Sequence, residues 1–142
     1  MADKLTDTEN VIRYLKRRFY CPELKQWSTD IFELRQGETA ISVCREQLLE
    51  SVAQGGMMSF PESMHKSIIA YTTLNVGDVR NLSNSELTVD VIPAPSESNP
   101  AHAGIEASIS DTPIIGIPTS PAYYNLQGKL LALALSKIEP LP

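Results

Sequence analysis

The sequence predicts one α+β domain over residues 1–142: a mixed or antiparallel sheet packed against an apolar C-terminal helix and an N-terminal amphipathic helix. Three observations carry this. Apolar and polar residues alternate from Ala103 to Ile109, the period-two signature of a half-buried strand. β-branched and aromatic residues fill 68–74 and 87–92, as strands prefer. After Ser120-Pro121, leucines recur at helical spacing as far as Ile138.

The first element is expected to be a helix from about Thr8 to Phe19. Thr6, Asp7 and Thr8 are N-cap types, and Glu9 puts an acid in the first turn. Val11, Ile12, Leu15 and Phe19 make one apolar face, Arg13, Lys16 and Arg17 occupy the other side, and Pro22 ends the element. A hairpin of 31–34 and 39–43 across Gln36-Gly37 is expected next. A short helix, 45–54, follows and closes at Gly55-Gly56. Residues 55–66 have no period and read as a loop carrying Met57, Met58, Phe60 and Met64.

After the strand at 68–74, Val76–Arg80 leads into a polar turn at 81–84. The strand at 87–92 stops at Pro93 and Pro95, and 94–100 is a loop. Residues 102–110 form the next strand, with a helix capped by Asn99 as the alternative. In the final helix Ser120 caps and Pro121 suits the first position. Asn125, Lys129 and Ser136 leave only a narrow polar stripe, so the helix is expected to be buried along most of its length.

A chain of 142 residues can bury a full core without covalent staples. Hydrophobic content of 42% with 20% charged residues fits a folded globular chain. The net charge of −5 is uneven: residues 1–25 carry six Lys or Arg against four acids, the remainder six against thirteen. So acidic a body is ill suited to general polyanion binding. Cys21 and Cys44 are too few for a disulfide scaffold and fit a reducing, cytoplasmic setting as inert thiols. The N-terminus has no signal-peptide pattern, and no apolar run is long enough to span a bilayer, so no membrane association is expected.

The chain has no glycine-rich phosphate loop, no nucleophile elbow and no metal-spaced cluster, so neither cofactor nor metal is expected. His65 lies between Met64 and Lys66 without companion ligands and reads as a solvated loop residue. His102 stands where a proline-rich loop enters a strand, a junction that often holds binding groups. Its nearest ionisable companion is Glu106. In a strand the two share a face about 13 Å apart; in a helix they would be neighbours. The bland reading of His102 is a side chain satisfied by backbone that fixes its loop.

Leu74–Arg80, followed by Leu87–Pro93 and Asn99–Ile105, resembles a loose group of small bacterial proteins to which no activity is attached. The likeness covers roughly residues 68–110. It implies a bacterial, soluble, single-domain protein and points again at His102.

The expected function is that of a non-enzymatic accessory or immunity-type protein that binds another protein. Arg13, Lys16 and Arg17 of the first helix and Met57, Met58 and Phe60 of the loop are the expected contacts. The alternative is a small enzyme or ligand-binding protein centred on His102 and Glu106, acting on a nucleotide or phosphorylated metabolite. A weaker alternative is nucleic-acid binding through the basic first helix.

Overall fold

The computed structural model describes residues 3–32, 34, 38–49, 67–97, 99–116 and 120–141. At its centre, β1 (Asn10–Lys16) pairs with β4 (Ile41–Arg45) on one side and β5 (Ile68–Asn75) on the other. β7 (His102–Ile109) continues beyond β4, and β6 (Leu87–Pro93) is the outer strand. β9 (Ile138–Pro140) forms the opposite edge beside β5. The order is β6-β7-β4-β1-β5-β9, every pairing is antiparallel, and the two-residue β8 (Thr112–Pro113) pairs with the end of β7. A separate small hairpin joins β2 (Tyr20–Cys21) to β3 (Gln26–Trp27).

The expected N-terminal helix is not formed; its residues are β1. Val11, Ile12, Tyr14 and Leu15 are all buried, because this central strand is covered on both faces. Two buried pairs separated by Arg13 imitate the spacing of an amphipathic helix, and the β-branched and aromatic content decides for the strand. The apparent cap closes a turn instead: Glu9 N donates to Thr6 O (3.1 Å), and the Glu9 carboxylate accepts from Thr6 N (3.1 Å). That carboxylate also meets the Arg45 guanidinium at 2.6 and 3.1 Å, in a buried pair that ties the N-terminal segment to β4.

The expected 31–34 strand is also corrected. Residues 29–32 form a 3-10 turn that buries Ile31 and Phe32, while β4 pairs with β1 and β7. The turn at 36–37 lies outside the described residues. In place of a 45–54 helix, Arg45 ends β4, Glu46–Leu48 make one 3-10 turn and Leu49 is extended. Residues 50–66 lie outside the described residues. Val76–Arg80 is a short helix, α1, whose cap Asn75 accepts from Asp78 N (2.9 Å).

The C-terminal helix, α2 (Pro121–Ala134), starts as expected, with Ser120 Oγ accepting from Tyr123 N. It ends earlier than expected, and Ile138 begins β9. It also buries less than expected: one stripe of Tyr123, Leu126, Leu130 and Ala134, while Leu135 is 52% exposed. Buried Thr72 of β5 donates to Ala134 O (3.1 Å), taking up one of the last-turn carbonyls.

The stripe of α2 packs with Ile31, Phe32, Val76 and Val79 on one sheet face, over Val11, Leu15, Val43, Leu74, Ala103 and Ile105. On the other face a smaller cluster gathers Ile12, Tyr14, Cys44, Ile68 and Ala101. The turn after α1 runs beside the outer strand. Asn84 exchanges bonds with the Leu87 backbone (2.8 Å each), Ser83 Oγ engages both Val89 N (2.8 Å) and Val89 O (3.2 Å), and Asp90 Oδ1 takes Val91 N (2.7 Å).

Candidate functional site

The loop from β6 to β7 sets the position of His102. Asn99, 2% exposed, accepts from Ala101 N (3.2 Å) and donates to Cys44 Sγ (3.4 Å), fixing the loop to the sheet. Ala94 N donates to His102 O (2.9 Å), and the His102 ring reaches back to Ala94 O (2.9 Å). A carbonyl only accepts, so Nδ1 carries the proton and the other ring nitrogen, Nε2, remains as the acceptor of the neutral ring. This half-exposed imidazole lines a cleft of about 340 Å³ with Glu38, Ser42, Gly104 and Glu106.

His102 and Glu106 therefore share one face of one strand, and the cleft spans both. No hydroxyl–imidazole relay forms: Ser42 Oγ donates to Glu38 (3.2 Å), and Ser42 sits opposite Gly104 rather than His102. Cys44 is the residue paired with His102 in register, but it is buried, and burial raises its thiol pKa against smaller opposing effects of Asn99 and Arg13. Tyr14 beside it is pushed well above the ordinary phenol range, again chiefly by burial. Both groups stay neutral at neutral pH. Among the described residues, no set of three His, Cys, Asp or Glu side chains is placed to hold a metal ion.

A second surface comes from the hairpin that follows β1. Tyr20 and Trp27 are register partners with ring centroids 5.0 Å apart, and Ser28 N closes the base on Phe19 O (2.6 Å). Phe19 and Trp27 root the hairpin in the main core. Its turn, Pro22–Lys25, leaves Leu24 66% exposed and Lys25 in the left-handed region (φ 52°). Arg18 lies 4.6 Å over the Phe19 ring, and Arg17 and Lys25 are exposed nearby. Between the aromatic rings, Cys21, Leu24 and Arg18 lies a groove of about 240 Å³.

The residues expected to make one basic helical face are thus separated. Arg13 turns into the sheet and donates to Ile31 O (3.1 Å) and Ser42 O (2.8 Å). Lys16 sits at the irregular end of β1, and Arg17 begins the turn into the hairpin. Met57, Met58, Phe60 and His65 lie outside the described residues. Sequence reasoning missed the hairpin, whose signal is the aromatics Tyr20 and Trp27 flanking a Pro-Glu-Leu-Lys turn. It also missed Glu38 and Ser42, which only the β4–β7 pairing brings to His102. No helix among the described residues is long and apolar enough to cross a membrane. Compared with family models, curated proteins and solved structures, the chain matches none.

Proposed function

We propose that this chain is a non-enzymatic interaction protein that recognises an acidic segment of a protein partner through the β2–β3 hairpin. One observation carries the reading: an aromatic groove lined by Arg18, with Arg17 and Lys25 exposed in the adjoining stretch of chain, on a molecule whose net charge is −5. Tyr, Trp and Arg are the side chains that dominate binding energy at protein interfaces. Basic groups at the rim favour acidic partners and speed encounter with them. The arrangement around His102 supports the non-enzymatic half, since Ser42 bonds to Glu38, His102 Nδ1 to a backbone carbonyl, and Cys44 is a buried thiol. Two free cysteines suit a reducing, cytoplasmic setting.

Trp27 is the chain's single tryptophan, so its emission reports directly on the groove. Affinity capture from the native host is expected to recover one protein partner with an acidic segment. A peptide of that segment should shift Trp27 emission and lose about tenfold or more in affinity on Arg18→Glu or Leu24→Asp. Capture that survives both substitutions unchanged overturns the proposal. So does retention on a polyanion resin that falls steeply with salt and vanishes with Arg17→Glu, which would mark a nucleic-acid surface.

A further inference from the structure

We infer, building on the hairpin's role as a surface for an acidic segment, that its groove seats one aromatic side chain of that segment. Size decides first what can enter. At about 240 Å³ the groove is smaller than the roughly 300–1,000 Å³ of small-molecule sites, so it suits one large side chain rather than a whole ligand. Such a side chain acts as an anchor, the kind of residue on which binding energy concentrates.

The walls select its chemistry. Tyr20 and Trp27 are cross-strand partners with ring centroids 5.0 Å apart and planes at 53°, so the two rings make one continuous aromatic wall. The floor is rigid, because Phe19 and Trp27 pack against the main core and Ser28 N donates to Phe19 O (2.6 Å) where the strands meet. Arg18, 4.6 Å over the Phe19 ring, lines the same groove. Leu24, 66% exposed at the turn, is its outer lip. A ring laid on this surface takes apolar area out of water on both sides. It also packs edge-to-face or offset against the wall, a gain beyond area, and the Cys21 thiol adds a soft contact. An aliphatic side chain gains the area alone. Arg17 and Lys25, exposed in the adjoining stretch, favour acidic residues beside the anchor. Charge then governs encounter, and the ring governs residence.

The probes are short peptides blocked at both ends, Glu-Glu-X-Glu-Glu with X as Phe, Leu or Ala, and the lysine counterparts of the Phe and Ala peptides. Binding to the full chain is followed through the emission of Trp27, its single tryptophan, excited where these peptides do not absorb. Saturation by the Phe peptide of the glutamate series is expected, with Leu about threefold and Ala about tenfold or more weaker. Added salt should weaken that series as a whole and leave its Phe-to-Ala ratio unchanged, since the ring carries no charge to screen. Leu24→Ser, at an exposed position, should narrow the ratio about threefold or more, and Leu135→Ser on the exposed side of α2 should not move it. Equal binding of the glutamate peptides overturns the inference and leaves the acidic-segment reading standing. A Phe preference confined to the lysine series keeps the anchor and overturns the acidic-segment reading. No saturation in either series overturns both, and so does a short oligothymidylate that binds more tightly than any peptide by stacking its bases on the same wall.

Discussion

Cys44 and Cys21 differ only in surroundings, and that difference decides their chemistry. Cys44 sits under Asn99 on the smaller-cluster face, where burial holds its thiol protonated, while Cys21 is half-exposed in the hairpin. Since the thiolate is the reactive form, an aromatic disulfide reagent at neutral pH should titrate one thiol per native chain and both after denaturation. Rapid modification of two thiols in the native state would refute this assignment. The same physics fixes the sign of the pH dependence. Cys44 and Tyr14 both have folded pKa values raised above their unfolded ones. Their contribution to stability is complete below the unfolded values and is lost as pH climbs through the alkaline range. The Glu9–Arg45 pair is a different case: its charges are buried together, and removing either partner strands the other.

Among the elements, α2 separates core from surface along a single helix. Leu126 is fully buried in the stripe facing the sheet, so Leu126→Ala should cost about 2–5 kcal/mol of unfolding free energy. Gly128, two residues on, has nothing within 4 Å of where a Cβ would stand. Gly128→Ala should therefore stabilise by about 0.5–1 kcal/mol through helix propensity alone. Denaturant unfolding of both variants checks the opposite signs. These elements also show what a sequence can reveal. Strands β5, β6 and β7 and the start of α2 were legible because each has one period and one boundary signal. β1 was misread because a strand buried on both faces has no alternation to display, and its Thr6-to-Glu9 turn carries the chemistry of a helix cap. At the candidate site His102 and Glu106 could be found from their own strand. Glu38 and Ser42 could not, because they arrive through a pairing between strands some sixty residues apart.

Considered whole, the molecule gathers Arg17, Arg18 and Lys25 around the hairpin, on a body that is negative overall. Charge of one sign concentrated on a small exposed feature steers encounter, and the effect weakens as salt screens it. The rim of the sheet is governed by a local device. The outward N–H groups of Leu87, Val89 and Val91 are taken by Asn84, Ser83 and Asp90, which leaves β6 a poor template for a further strand. Ser83→Ala removes the partner of both Val89 backbone groups, and light scattering of concentrated samples should then show self-association that the parent lacks. Unchanged scattering would mean that Ser83 has no part in guarding the rim.

That guarded border has a bearing on how the chain can lead its life. A crowded cell brings many copies together, and sheets with bare margins stick to their twins and grow into ribbons. Here one hydroxyl, one amide and one carboxylate keep neighbours from zipping on, so abundance need not end in fibres.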